Sequence, residues 1–430
     1  MSFDGSLVIE RLRELPGGSE LLAVAREHGG VELVGGAVRD ILLGRTPREL
    51  DVVVGADATA FAAALARRLQ TLAGRDPGER LQTHLHDRFR TALVRWDDGE
   101  VDIATRRTES YTAPGALPEV YEGTLEQDLA RRDFTVNAIA VALDGANAGR
   151  MRAAPRALED LEGRRLRVLH ERSFIDDPTR LLRLARYAAR LDFEIEEHTA
   201  ELAAQALATG ALSTVSADRV GAELALTASD PDPIAAFVSL DAFGVPGALG
   251  LPTPFDRQLA EAAFALLPDD GSRSALALSA LFHPAEPSQP ALGAAETSIE
   301  TLTTNGATRA AVREAALGCF ALAPALLGRS PAPPSLLRAV FAGTRPELVA
   351  MTGALAGRAS SDAAADARRW LSELRHVRLE IDGGDLLASG VRQGPEIGER
   401  LERALDRKLD GELDGKGREA ELRAALEGSV

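Results

Sequence analysis

Apolar residues follow two different periods in the first part of the chain. Val31–Val34 and Leu50–Val54 are short apolar runs of strand length, and between them residues 37–43 carry apolar side chains at helical spacing. Gly35-Gly36 joins the first strand to the helix, and Gly44 stands where a helix C-cap glycine is expected. Upstream, residues 5–28 read as helical, with Leu12, Leu15 and Leu22 as packing positions. Downstream, 58–72 reads as an Ala/Leu-rich helix bearing Arg67 and Arg68, and a Gly/Pro/Asp turn follows at 74–78. Residues 81–86, 91–96 and 101–104 then read as short strands. A further helix is predicted over 178–191, with Pro178 in its first turn. Beyond residue 226 the chain is Ala/Leu-rich helix broken by proline clusters at 229–233, 283–290 and 329–334, without a repeat of fixed period. The order predicts an α+β protein: a small mixed sheet with helices over 1–143, a helical neck over 144–228, and an all-α body and tail over 229–430.

Composition narrows the class. At 430 residues, two to four domains are expected. Apolar residues make up 45% and aromatics 4%, so the cores must be filled by Leu, Val and Ala. The single cysteine, Cys319, excludes an internal disulfide and a cysteine zinc site, and the seven histidines are dispersed. A reducing cytoplasm is the expected location. No apolar run reaches about 18 residues, so no membrane span is expected, and the opening residues carry no signal-peptide pattern. The net charge of −16 argues against a protein that coats nucleic acid nonspecifically. That total conceals a local basic strip, because Arg164 to Arg190 holds eight arginines and three acids.

Candidate chemistry lies in the strand–turn–helix–strand unit. Gly35 and Gly36 let the backbone approach a ligand and leave N–H groups at a helix N-terminus, an arrangement suited to an anion. Glu49 and Asp51 are two residues apart at the second strand, and alternation points both the same way. Paired carboxylates beside a phosphate cradle suit metal-dependent phosphoryl transfer. A dinucleotide fold competes, but it needs G-x-G-x-x-G after the strand, and G-G-A-V-R-D lacks the third glycine. Asp102, between Val101 and Ile103, faces the open side of the sheet if those two face the core, as a third candidate acid. Asp177 and Arg180 lie three apart on one helix face, and Arg183 and Arg186 repeat the step. Cytosine and adenine each present an amino donor beside a ring-nitrogen acceptor, whereas guanine and uracil present the reverse. A carboxylate with a guanidinium therefore matches C and A and opposes G and U.

The order GGAVRDILLGR, then E-L-D, then RRDFTVNA (131–138), then DDPTR (176–180) resembles the class II tRNA nucleotidyltransferases (CCA-adding enzymes) and poly(A) polymerases. Glu49 stands where the family pattern has the first Asp of D-x-D, and Asp176 where it has Glu. Segment 86–94 resembles the tRNA-enzyme version of its strand, 214–226 the neck, and 383–405 the tail, whose G-P-x-I-G is either an RNA-phosphate contact or helix punctuation. The likeness implies a nucleotidyltransferase head followed by neck, body and tail. It implies Mg²⁺-dependent transfer of CMP and AMP from CTP and ATP to a tRNA 3′ end, with release of pyrophosphate. It implies Glu49 and Asp51 as metal ligands, with Asp102 orienting or deprotonating the hydroxyl. Gly35, Gly36 and Arg39 would hold the triphosphate, and Arg132 and Asp133, within a block that includes Asn137, would read the ribose. Asp177 and Arg180 would read the base, with Arg183 and Arg186 in support. Residues 144–156, DGANAGRMRAAPR, fall where relatives carry a flexible loop that assists the C-to-A switch. No obligate protein partner and no membrane is implied. Three alternatives stay open: a poly(A) polymerase or a partial CC- or A-adding enzyme, a catalytically silent RNA- or nucleotide-binding module, and a Rossmann-type binder.

Overall fold

The structure is a computed structural model that describes residues 3–71, 81–86, 91–327, 331–413 and 417–427. The chain divides into two compact units, Met1–Val215 and Ser216–Val430. The sequence reading set its boundaries at 143/144 and 228/229, whereas the compact units divide at 215/216. The turn at 74–78 and residues 87–90 of the segment 86–94 lie outside the described residues.

The first unit begins with α1 (Gly5–Glu14) and α2 (Gly18–Glu27), then β1 (Val31–Val34), α3 (Gly36–Leu42), β2 (Leu50–Val54) and α4 (Ala58–Thr71). β3 (Gln82–His86), β4 (Thr91–Trp96), β5 (Gly99–Thr105), β6 (Arg107–Ser110) and β7 (Glu119–Glu122) follow. After α5 (Leu125–Ala130) come β8 (Ile139–Ala142), β9 (Met151–Ala153), α6 (Ala157–Glu162), β10 (Arg165–Leu166), α7 (Ser173–Asp176), α8 (Thr179–Leu191), β11 (Glu194–Ile195) and α9 (Glu197–Ala208). Seven strands form one mixed sheet in the order β3-β4-β5-β2-β1-β8-β9. β2 and β5 run parallel and the other neighbours antiparallel. β1 and β8 are buried along their whole length, as their continuous apolar runs suggest. The exception on β1 is the polar Glu32, whose carboxylate takes a forked pair of bonds from Arg106 at 2.5 and 3.0 Å.

The unit Val31 to Val54 folds as its residues dictate. Gly35 takes φ +71° and ψ −134°, a conformation open to glycine, and α3 starts directly after it. At the other end Gly44, at φ +72°, donates its N–H to the Ile41 carbonyl, and Arg45 donates to that of Asp40. This doubly bonded glycine stop spends two of the helix's orphan carbonyls and releases the chain toward β2.

Residues 144–156, where relatives carry a loop, contain a helical turn at 145–147 and the short strand β9. Gly149 (φ +87°) turns the chain, its N–H bonds the Ala142 carbonyl at 2.9 Å, and β9 adds to β8 as an edge strand. Arg152 is held by Glu126 at 2.8 Å.

The second unit is helical throughout its described residues. One proline of each cluster sits at a helix start, where the missing N–H costs nothing: Pro233 opens Pro233–Ala242, Pro290 lies in the first turn of Gln289–Leu302, and Pro334 opens Pro334–Phe341. Its main core gathers Leu276, Phe341, Val349, Met351 and Trp370. The tail read as a glycine-rich turn and a helix contains two helices, Gly383–Ala388 and Pro395–Leu409, packed over Leu386 and Ala404. No described helix is long and apolar enough to cross a membrane.

Gly221, in the helix Ala217–Ala228 of the second unit, lets that helix close on its neighbour. A Cβ there would lie 2.3 Å from the Leu302 carbonyl oxygen, a backbone atom that cannot swing away. Gly221→Ala is therefore expected to destabilise the protein by about 1–3 kcal/mol, the usual cost of overpacking. Thermal unfolding of the two proteins measures it, and an unchanged or raised midpoint would contradict the close approach.

Candidate active site

A cavity of about 480 Å³ on the first unit is lined by the candidate residues. The parallel register of β2 and β5 sets Asp51 directly beside Asp102, and both line this cavity. Alternation along β5 buries Val101 and Ile103 and turns Asp102 outward, as the sequence suggested. Asp177, Arg180 and Arg183, from the junction of α7 and α8, line the same cavity. Gly36, Arg132, Asp133 and Asn137 also line it. The strand acids and the helix Asp/Arg pair, more than 70 residues apart in sequence, therefore meet at one space.

Glu49 lies in a bend just before β2, not on the strand, and is exposed. The alternation argument for it therefore does not hold, because pairing with β5 begins only at Leu50. Its charge nonetheless reaches Asp51. The Asp51 carboxyl is pushed up to about 7 by burial, with Glu49 and Asp102 adding to the rise and Arg132 and Arg39 opposing it. Three acids, Glu49, Asp51 and Asp102, therefore act there against two arginines. Oxygen-only donors suit a hard divalent cation, and Mg²⁺ is commonly held by one or two carboxylates with water and phosphate completing its shell. Among the described residues no cluster of three or more metal-ligating side chains forms, so the fit is to a cation held by few protein ligands.

Arg39, expected on the triphosphate, is a buried support. Its side chain is 2% exposed and pairs with Asp40 at 2.7 Å. Its Nη1 donates to Asn137 Oδ1 at 2.5 Å, and its guanidinium lies over Tyr187, 5.3 Å from the ring centre. Asn137 in turn donates to Asp133 Oδ1 at 2.9 Å, and Asp133 Oδ2 lies 3.7 Å from Arg183. Burial pushes the Asp133 carboxyl up, but Arg183, Asn137, Arg180 and the Phe134 N–H outweigh it, and the group ends below its ordinary value. Arg186, expected at the base or phosphates, is buried with its guanidinium over the same Tyr187, 5.0 Å from the ring centre. Gly35 holds the wall behind Asp51: a Cβ on it would fall 2.6 Å from Arg132 Nη1 and 3.5 Å from Asp51 Oδ2.

At the helix end, Asp177 Oδ1 accepts from the N–H and hydroxyl of Thr179, the first residue of α8. Arg180 is 4% exposed, with Nη1 on Ser173 Oγ at 2.7 Å and Nη2 on the Arg131 carbonyl at 2.6 Å. The guanidinium that faces the cavity is thus fixed in place.

Sequence reasoning missed one part of the site. Arg107, Glu109 and Tyr111 alternate along and just beyond β6, and all three line the cavity. Glu109 meets Arg107 at 3.3 Å and Arg131 at 2.9 Å. Asp128, whose side chain is fully buried on α5, binds Arg131 at 2.7 Å and Arg132 at 3.1 Å. Burial raises the Asp128 carboxyl and the two arginines more than reverse that rise. The signal was the spacing R-x-E-x-Y, three chemical side chains on one face of a strand.

Residues 31–167 match the family model of the Poly A polymerase head domain. An A-adding tRNA nucleotidyltransferase of Halalkalibacterium halodurans is 40% identical over 212 residues, covering 49% of this chain and 47% of that protein. A CC-adding tRNA nucleotidyltransferase of Deinococcus radiodurans is 42% identical over 225 residues, covering 51% of this chain and 56% of that protein. The fold is similar to that of the Thermotoga maritima CCA-adding enzyme complexed with tRNA, with a TM-score of 0.74, 27% identity and 99% of each chain covered. Residues 31–167 are thus similar to a Poly A polymerase head, within a fold similar to that of CCA-adding enzymes. The chain spans about half or less of the length of the curated relatives it matches. In this chain the GGAVRD and RRDFTVNA blocks are joined through Arg39 and Asn137, and RRDFTVNA and DDPTR through the Arg131 carbonyl and Arg180.

Arg39→Met is expected to destabilise the protein by about 3–5 kcal/mol with no nucleotide present, the cost of breaking a buried ion pair. Chemical denaturation measures it. An arginine serving only to touch phosphate would leave the apo-protein's stability unchanged.

Proposed function

We propose that this protein transfers CMP and AMP to the 3′ end of tRNA, by attack of the RNA 3′-hydroxyl on the α-phosphate of CTP or ATP with release of pyrophosphate. The observation that carries the reading is the single cavity lined by Asp51 and Asp102 at one register position and by Asp177 and Arg180 on the adjoining helices. A divalent cation such as Mg²⁺, held by Asp51 with Glu49 alongside, would supply charge neutralisation for the attacking and leaving oxygens.

The chain's own residues account for the rest of the reading. Asp102 orients the attacking hydroxyl and receives its proton. Arg132, anchored on Asp128, and Asp133, anchored by Asn137, present a donor and an acceptor to the ribose 2′-hydroxyl. A deoxyribose would leave both without that partner, at about 1–3 kcal/mol for each buried group. Asp177 and Arg180 present acceptor and donor to the pairing edge shared by C and A. Because Ser173 and the Arg131 carbonyl hold Arg180, the reading edge is rigid, as a protein template requires.

The similar proteins divide among A-adding, CC-adding and CCA-adding enzymes. The deciding experiment is incubation with tRNA transcripts lacking three, two or one terminal nucleotides, with each nucleoside triphosphate alone and combined. Addition of C, C and A in turn supports the full reading. Addition of C alone or A alone assigns a partial enzyme, and a long homopolymer tail replaces the tRNA reading with polymerase activity. The exposure of Glu49 favours one second reading, a nucleotide-binding module without transfer. Failure to incorporate label from α-labelled CTP and ATP on any of these transcripts would establish it.

Asp51→Asn and Asp102→Asn are each expected to lower kcat by about 100-fold or more, the loss typical of removing a group that stabilises transition-state charge. Single-turnover extension of tRNA measures this, with circular dichroism as the check on folding. A rate equal to that of the unaltered protein at either position would remove that acid from the reaction.

A further inference from the structure

Hydrogen bonds to a base edge lie in the base plane. They select a pattern of donors and acceptors but leave the plane free to tilt, so an edge-reading pair needs a surface parallel to the base. Two aromatic rings line the cavity, Tyr111 and Tyr187. Tyr187 is already occupied: the guanidiniums of Arg39 and Arg186 lie over it at 5.3 and 5.0 Å from its centre, and Phe134 meets it edge-on at 5.9 Å. Among the described residues, no ring or guanidinium lies over Tyr111.

Tyr111 also sits at the right end of the cavity. It follows β6 on the face shared with Arg107 and Glu109, and the charges of Arg180 and Asp177 both reach its hydroxyl. Its orientation is fixed at the far edge of the ring, where the hydroxyl donates to Glu109 Oε2 at 3.0 Å. Glu109 is itself clamped by Arg131 at 2.9 Å, and the Arg131 carbonyl holds Arg180. The loop that carries Tyr111 is tied to α7, because the Gly115 N–H bonds the Ile175 carbonyl at 3.2 Å. Gly115 is obligatory there: its φ is +69°, and a Cβ would fall 2.1 Å from Thr214 Oγ1.

We infer that Tyr111 is the stacking platform for the nucleobase read by Asp177 and Arg180, a positioning role that the Glu109 hydrogen bond keeps in register with the reading pair. The inference rests on the proposed function. A stacking face has no donor–acceptor pattern, so it serves cytosine and adenine alike while the Asp/Arg pair makes the choice.

The test is equilibrium binding of CTP, ATP and inorganic triphosphate, without tRNA, to the unaltered protein and to Tyr111→Leu and Tyr111→Phe. Leucine keeps apolar bulk without an aromatic face, and phenylalanine keeps the ring without the anchor. For Tyr111→Leu the expected result is a loss of roughly tenfold or more in affinity for both CTP and ATP, the range of base–aromatic stacking, with inorganic triphosphate unchanged. Tyr111→Phe should recover most of that loss. Unchanged CTP and ATP binding in Tyr111→Leu would overturn the inference and leave the proposed function standing. An equal loss for inorganic triphosphate would also overturn it, because it would mark a general distortion of the site. Failure of the unaltered protein to bind either nucleotide would sink the proposed function, and the platform with it.

Discussion

The buried guanidinium of Arg39 is the constraint on which the first unit depends. A charge removed from water must be paired on every side or the fold does not tolerate it. Asp40, Asn137 and the Tyr187 ring meet that demand, and they come from three separate parts of the chain. Satisfying one buried cation therefore brings α3, the turn after Phe134 and α8 into fixed relation. Arg190, 3.5 Å from Asp40 on the far end of α8, extends the same pairing. The candidate site is the open surface of this network: Asp133 is positioned by Asn137, and Arg183 by its approach to Asp133.

Charge is distributed along the cavity in a way the net total of −16 does not convey. One end gathers Asp51 and Asp102 with Glu49 nearby, and burial, with those like charges adding to it, pushes the Asp51 carboxyl up to about 7. The other gathers Arg107, Arg131, Arg132, Arg180 and Arg183 against Glu109, Asp128, Asp133 and Asp177. Arg107 feels that crowding: burial and the neighbouring Arg131 hold its guanidinium below the usual range, against the pull of Glu109 and Asp128. A site that is acid-rich at one end and cation-rich at the other suits a ligand with a metal-binding polyphosphate and a sugar and base.

Much of this was legible in the residues. β2 and β4 fall where their apolar runs end, and α3, β5 and α8 begin or end within a residue or two of the predicted bounds. Those limits are local: glycine at φ +71° and +72°, a proline before a helix, and alternation that buries Val101 and Ile103. The β9 edge strand was not legible, because the three residues Met151, Arg152 and Ala153 carry no strand pattern of their own and become a strand only when β8 offers them an edge. Arg107, Glu109, Tyr111 and Asp128 were missed for a related reason. Nothing in R-x-E-x-Y says which face of β6 meets a cavity until α5 and α7 are in place.

By itself the sequence determined the local geometry of the head, the family its motifs resemble, and the pairs of residues carried on one strand or one helix. Only the tertiary structure decided what those residues face. Arg39 and Arg186 were expected at the ligand from the family resemblance, yet both are buried, where a carboxylate or aromatic ring offsets their lost hydration. Asp51 and Asp102 became neighbours through a parallel register between strands 50 residues apart, and periodicity along one strand holds no information about pairing across two. Side-chain spacing fixes what a segment can present; packing decides to whom it is presented, because the energy of burial is settled between segments and not within them.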